Sequence, residues 1–324
     1  MKKIIFEKPG KHNDVLQLQE VEIPQPQAGE VRISVKASPV NPSDVAFILG
    51  GYGIKPQLPS GAGFEGSGVV ESVGEGVTIP VGTRVSFTGI GAWAEQVVVS
   101  ARAVMLLPEN LTFEIGAQVF VNPLTAWAML HESGLQAGDW LLLTAGGSTF
   151  AQLVVQFAHR KGIQTICTVR RDDQVEQLKA LGATEVVNTE KRSLPKYVRE
   201  LTDKKGVACC FDAVGGDLGA LALQCLAYKG QMLLYGMLSL KDMPVNSGLM
   251  IFRSTTLRGF WLTDWLATAD KPLRTQAATD VLSMLTSGEL KVTVDATYPL
   301  EKAVEAVAHA ETPGRSGKIL IVNN

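Results

Sequence analysis

Two periodicities of apolar and polar positions divide the chain. Up to about residue 120 the period is two. Leu16-Gln17-Leu18-Gln19 and Val31-Arg32-Ile33-Ser34-Val35 alternate, as a half-buried strand does, and Pro/Gly clusters bound both. Residues 82–87 and 94–99 read as further strands, and the glycine-rich run 66–74 as a strand with bends or bulges. Many short strands with no long helix predict a barrel-like β module. From about residue 112 the spacing becomes helical. Residues 117–133 form an amphipathic pattern that Asn122-Pro123 should kink or split.

After that, strand-length apolar runs alternate with helical ones. Strands are expected at 140–144, 165–169, 185–188, 206–214, 231–234 and 255–260. Helices are expected at 150–159, 174–181, 194–202 and 218–228. Such alternation implies a doubly wound parallel sheet. A helix at 271–287, a strand at 292–298, a helix at 301–310 and a strand at 318–322 end the chain. The expected fold is α/β, a Rossmann domain over 121–265 with a discontinuous β-rich domain from 1–120 and 266–324.

The stretch 137–171 carries the first chemical signal. The run 140–144 leads into the small-residue turn Ala145-Gly146-Gly147-Ser148-Thr149, then into a helix with Phe150, Val154, Phe157 and Ala158 on one face. A helix N-terminus presents unpaired N–H groups and partial positive charge, which suit a pyrophosphate. The turn lacks a full G-x-G-x-x-G fingerprint, since Ser148, Thr149 and Ala151 stand where glycines are usual. On the turn alone, a dinucleotide site and a ligand-free crossover weigh about equally. The next strand tips the balance. It ends in Arg170-Arg171 rather than in an acidic residue, and two guanidinium forks suit the 2′-phosphate of NADPH.

Composition narrows the classes. The chain has 324 residues, 46% hydrophobic and 19% charged, with a formal net charge of −2. That balance recommends neither nucleic acid nor an anionic membrane as a partner. The N-terminus has no sustained apolar segment, and no apolar run is long enough to span a bilayer. The four cysteines, at 167, 209, 210 and 225, have no ligand spacing and read as reduced thiols of a cytoplasmic protein. The four histidines, at 12, 131, 159 and 309, match no ligand spacing either.

Several short stretches together carry a family resemblance. They are Asn41-Pro42-Ser43-Asp44, Gly50-Gly51-Tyr52-Gly53, Gly63-Phe64-Glu65-Gly66, Asn122-Pro123-Leu124-Thr125-Ala126 and Leu257-Arg258-Gly259-Phe260-Trp261-Leu262. In order and spacing the chain resembles the medium-chain dehydrogenase/reductase superfamily over almost its whole length. The resemblance is to the zinc-independent branch of quinone oxidoreductases and 2-enoyl thioester reductases, and it implies a GroES-like first domain. In zinc relatives a Cys stands where Asn41 is and a His where Phe64 is, and the four-Cys lobe is absent here. The expectation is therefore no metal.

The resemblance also assigns residues. Tyr52 aligns with the proposed proton donor; otherwise it is a pocket wall with a bonded hydroxyl. Asn41 either orients substrate or nicotinamide, or caps the turn before Pro42. Asn122 and Thr125 would border the nicotinamide, or form a polar kink. Gly147, Ser148, Thr149 and Phe150 would wrap the pyrophosphate. Arg170, Arg171 and Asp172 would surround the adenosine ribose, with helix capping the other role for Asp172. Tyr235, Gly236, Met237 and Leu238 follow one strand, and Phe260, Trp261 and Leu262 another, as walls of the cofactor site or as core. Lys318 matches a position near the cofactor, or is a surface lysine. The expected activity is NADPH-dependent hydride transfer to an activated C=C, such as a 2-enoyl thioester or an unsaturated carbonyl. Alternatives are NADPH:quinone reduction and a non-catalytic NADPH- or RNA-binding relative. The expected partner is a small-molecule substrate, with no nucleic acid and no membrane, and a homodimer by analogy.

Overall fold

The alternating segments of the first part pair into antiparallel sheet. The structure, a computed structural model, describes residues 1–323. The chain forms two units, Met1–Val121 with the return from Leu282 onward, and Asn122–Val281. The return thus begins inside the long helix Lys271–Ser287, later than the boundary expected at 266.

In the first unit the alternation around residue 33 becomes the strand Glu30–Pro39, with Val31, Ile33, Val35 and Ala37 turned into the core. It pairs antiparallel with Glu65–Val73, Gln96–Ser100 and Lys318–Val322 in a seven-stranded sheet. The glycine-rich strand has the irregularity its composition predicts, with register shifts between Arg32/Ile33 and Val35/Ala37. A Cβ at Gly68 would lie 2.0 Å from the Ser34 carbonyl oxygen, so only glycine fits there. A small sheet joins Gln17–Glu20, Lys2–Phe6 and Ser60–Gly61. Phe6, Phe47, Phe64, Trp93, Ile319 and Ile321 share one core cluster.

One pairing matters for the chemistry. The strand Lys318–Val322 sets Leu320 opposite Pro39, and the Val40 amide donates to the Ile319 carbonyl at 2.9 Å. One step further along, Lys318 meets Asn41. The two are 277 positions apart in sequence.

The second unit is a six-stranded, all-parallel sheet. Its order is Glu185–Asn188, Gln164–Val169, Trp140–Leu143, Val207–Asp212, Leu226–Leu234, Thr256–Gly259. Helices at Thr149–Arg160, Val175–Ala180, Leu194–Leu201 and Gly216–Gln224 connect the strands. One expectation changes. The helix expected over 218–228 stops at Gln224, and Leu226 already starts a strand, so intrinsic helix preference yields to pairing with Val207–Asp212. Of the two outcomes expected for the pattern over 117–133, a kink or a split, the structure has the split. Phe113–Gly116 and Val121–Ser133 are separate, and Pro123 sits in the first turn of the second, where a missing N–H costs nothing. Among the described residues no helix is long and apolar enough to cross a membrane.

Candidate active site

In the second unit the strand order reverses between Trp140–Leu143 and Val207–Asp212. Open α/β sheets take ligands at such a switch point, beyond the carboxyl ends of the strands. Buried groups tie the two loops leaving it. Thr144 Oγ1 donates to Asp212 Oδ1 at 2.5 Å and accepts from the Ala213 amide at 2.9 Å. The Asp212 carboxylate also accepts from the amides of Val214 at 3.1 Å and Gly215 at 2.9 Å. Asp212 therefore shapes the loops and is spent doing so. The sequence reading did not single it out, although a carboxylate closing an otherwise apolar strand was a usable signal.

The first loop delivers the helix Thr149–Arg160. Ser148 is its N-cap, with Oγ accepting from the Ala151 amide at 3.2 Å. First-turn amides have no intrahelical partner, so this end suits an anion. The turn is pressed against the next strand. The Gly146 amide donates to the Thr168 carbonyl at 2.7 Å, and a Cβ at Gly146 would lie 2.7 Å from Cys167 Cβ. Tyr235 lies over the helix start, its ring centroid 4.2 Å from that of Phe150 and its phenol bonded to the Ser148 side chain. Burial pushes that phenol well above its usual range.

The other strand-end residues also come together. Leu226–Leu234 and Thr256–Gly259 run parallel with Leu234 opposite Gly259, and the Phe260 amide donates to the Leu234 carbonyl at 2.7 Å. Tyr235-Gly236 and Phe260-Trp261 thus leave adjacent strand ends. The Leu238 amide bonds the Ala213 carbonyl at 3.0 Å, which draws 236–238 to the switch-point loop. Met237 and Leu238 are exposed, as is Trp261, which precedes the helix beginning at Leu262. These three side chains are therefore not core. Asn122 and Thr125 are half-buried on one face of Val121–Ser133.

At the far end, Val169 stands opposite Asn188, and Arg170, Arg171 and Asp172 follow. Arg170 is exposed. Arg171 pairs with Asp173 at 2.9 Å. Asp172 does not cap a helix through its side chain. It accepts from Lys191 Nζ and from Asn188 Nδ2, the latter at 2.7 Å, and these bonds hold its carboxyl below the usual range. Lys191, which the sequence reading passed over, adds a third cation to this corner.

The first unit contains a buried polar cluster. Asn41 caps the helix Pro42–Ile48 in a reciprocal capping box with Asp44, whose Oδ2 accepts from the Asn41 amide at 2.7 Å. The Asn41 side-chain oxygen also accepts from Lys318 Nζ, and its Nδ2 donates to Glu65 Oε1 at 2.8 Å. Glu65 Oε2 accepts from the Val121 amide at 2.8 Å. Asn41, Asp44, Glu65 and Lys318 are all buried. Desolvation pushes the Asp44 carboxyl up to about 8 and raises Glu65. It also lowers the Lys318 ammonium to about 8, against the attraction of Glu65 and Asp44. Lys318 is thus not a surface lysine, and its ammonium bonds Asn41. Asn41 does act as a cap, with one N–H of its amide left over after these bonds.

Tyr52 is half-buried in the loop after that helix, its ring centroid 5.2 Å from Phe64, which in turn lies 5.0 Å from Phe47. The sequence reading quoted Asp44 and Glu65 only as parts of motifs. Asp44 was detectable, since Asn and Asp three apart spell a capping box. Glu65 gave no local signal, because its partners at 41, 121 and 318 are remote in sequence.

Comparisons with known proteins agree with this layout. The family described as alcohol dehydrogenase GroES-like domain matches residues 27–109, and the family described as zinc-binding dehydrogenase matches residues 151–277. The chain is 31% identical over 335 aligned positions to the mitochondrial enoyl-[acyl-carrier-protein] reductase of Xenopus tropicalis, covering 98% of this chain and 94% of that one. It is similar to a quinone oxidoreductase of Pseudomonas syringae, at 30% identity and a TM-score of 0.92, over 99% of both chains. It is also similar to the Escherichia coli quinone oxidoreductase complexed with NADPH, at 28% identity and a TM-score of 0.93, over 100% of both chains. The zinc in the second family's description does not fit the residues present. Position 64 is an apolar phenylalanine, and the oxygen of Asn41 already faces the ammonium of Lys318. A divalent cation beside that ammonium would be repelled.

Proposed function

The chain belongs to the medium-chain dehydrogenase/reductase superfamily, and from that membership we propose that it is a zinc-free, NADPH-dependent reductase of activated C=C bonds, with a 2-enoyl thioester as its substrate. The observation that carries this reading is the placement of Tyr52. The phenol is held on Phe64, beside the positions where zinc relatives keep their ligands, and it offers a proton where a metal would otherwise polarise an oxygen.

When bound, NADPH supplies a hydride from C4 of its nicotinamide. The chain's residues do the rest. First-turn amides at Ser148–Phe150 would hold the pyrophosphate, and Arg170 and Arg171 the 2′-phosphate. Tyr235, Gly236, Met237, Leu238, Phe260, Trp261 and Leu262, with Asn122 and Thr125, would frame the nicotinamide end. Hydride arriving at the β-carbon pushes the C=C electron pair toward the thioester carbonyl, giving an enolate. Tyr52 stabilises that enolate by hydrogen bonding and gives its proton to the α-carbon. The phenolate then regains a proton from water.

Quinone reduction is the second reading, favoured by likeness to quinone oxidoreductases. It needs no donor aimed at carbon, so Tyr52 argues for the thioester. A non-catalytic RNA-binding role has only the fold behind it, and the net charge of −2 weighs against it. Four buried, unpaired cysteines suit a reducing compartment, which supports the cytoplasmic reading, while the enoyl reductase relative is named as mitochondrial. A homodimer through the sheet-edge strand Thr256–Gly259 is supported by the exposed Ile251 and Phe252 beside it. The test is NADPH consumption with a 2-enoyl thioester and with a quinone. Preferred thioester turnover supports the proposal; quinone turnover alone overturns it.

A further inference from the structure

A helix cap needs one short polar side chain. This chain supports its cap at Asn41 with three buried ionisable groups, Lys318, Glu65 and Asp44. Burying such groups costs several kcal/mol each on the general scale, so they serve something beyond the cap. The quartet bears on the helix that precedes the Tyr52 loop and on the strand next to Phe64. Asn41 and Asp44 start the helix Pro42–Ile48. Past its end, the Gly50 amide bonds the Phe47 carbonyl at 3.0 Å and the Gly51 amide bonds the Ala46 carbonyl at 2.9 Å, which turns the chain into Tyr52. From the other side, Glu65 directly follows Phe64, on whose ring Tyr52 rests.

Lys318 locks the two sides together. Its ammonium bonds the Asn41 oxygen, the opposite end of that amide bonds Glu65, and the ammonium attracts both Glu65 and Asp44. The preceding loop holds Lys318 in place. Asp295 Oδ1 accepts from the Ser316 amide at 3.1 Å and from Ser316 Oγ at 2.8 Å, and Arg315 Nε donates to the Thr312 carbonyl at 3.1 Å. Arg315 also faces the ammonium as a like charge. The positive charge of Lys318 offsets part of the cost of burying the Asp44 carboxyl.

Resting on the proposed role of Tyr52, we infer that Lys318 is a positioning residue: its ammonium clamps Asn41 against Glu65 and thereby sets the pose of the Tyr52 phenol. The last strand of the chain thus controls the geometry of a loop near its beginning. Without the cation, the Glu65 carboxyl loses its counter-charge, the amide of Asn41 loses its orientation, and Tyr52 keeps its ring contact but not a single pose.

The test reads pose and turnover separately. Fluorine-labelled tyrosine is incorporated throughout, and the Tyr52 resonance is assigned as the one missing in Tyr52→Phe. In Lys318→Met that resonance should shift and broaden, and Lys318→Arg, which keeps a cation, should restore most of it. In turnover, Tyr52→Phe should lower enoyl thioester reduction by about 10²–10⁴-fold. Lys318→Met should lower kcat by roughly ten- to a hundredfold with KM for NADPH little changed, as expected for a misplaced catalytic group. In the Tyr52→Phe background the same change should cost less than about twofold, because the group it positions is gone. If Lys318→Met does not fold, Glu65→Gln is read in the same way, since it keeps the shape and removes the charge. An unmoved Tyr52 resonance in a folded variant, or equal kcat losses in both backgrounds, overturns the inference. If the resonance moves while Tyr52→Phe turns over normally, the positioning stands and the proton-donor role fails.

Discussion

The turn before helix Thr149–Arg160 and the cluster around Lys318 both manage charge, by opposite means. The turn uses backbone amides, a capping hydroxyl and close glycine packing, all within a few consecutive residues. It leaves its positive end open for an anion. The cluster uses an amide and three ionisable side chains from three separate parts of the chain and closes them away from water. On the proposed function the first would receive a charged ligand, whereas the second closes its own ionisable groups off. The difference teaches that a contiguous motif announces a ligand, while a dispersed buried cluster announces a geometry being held.

If the receptor reading is right, substitutions there change which ligand binds. Each charged contact to a phosphate is worth about 1.5–3 kcal/mol, so Arg170→Ala should weaken NADPH by roughly ten- to a hundredfold. Arg171→Ala should cost less, because Asp173 already shares that guanidinium. NADH affinity should barely move in either. Fluorescence titration of both cofactors decides this, and equal weakening of NADH would break the assignment of a 2′-phosphate site.

If the support reading is right, substitutions there change stability with pH. Asp44 keeps its proton in the folded chain up to about pH 8, but in the unfolded chain only to about pH 4. Between those values the folded state binds more protons, so this residue's contribution is present at low pH and is lost as pH rises through about 8. Asp44→Asn keeps an oxygen for the Asn41 amide and should flatten the decline of stability over that window. Urea unfolding at several pH values reads the slope. An unchanged slope would mean that Asp44 is not held protonated in the fold. Glu65 retains a raised carboxyl beside it, so the decline should flatten rather than vanish.

The same contrast explains what was legible in the sequence. The parallel sheet could be read because each strand and helix carries its own period, and the strand ends expected at 144, 169, 234 and 260 fall at 143, 169, 234 and 259. The turn at 145–149, Arg170 and Arg171 sit next to elements that can be read locally. Tyr52 and Asn41 were recognised through motifs. Glu65 and Lys318 could not be joined, because the pairing of Lys318–Val322 with Glu30–Pro39 is a tertiary fact. The early start of strand Leu226–Leu234 was hidden for the same reason, since its neighbour Val207–Asp212 imposes the extension. Asp212 lay inside the strand expected over 206–214, yet it ends that strand and clamps the switch point.

The account's central claim is hydride transfer to carbon with protonation by the protein. It is tested most directly by following both hydrogens in the thioester reaction named above. With NADPH deuterated at C4 and a short 2-enoyl thioester, the saturated product should carry one deuterium at the β-carbon. In heavy water with unlabelled NADPH, the single deuterium should appear at the α-carbon, and in Tyr52→Phe its delivery should become slow. Oxidation of NADPH without label in a saturated thioester, with a quinone reduced instead, would contradict the account.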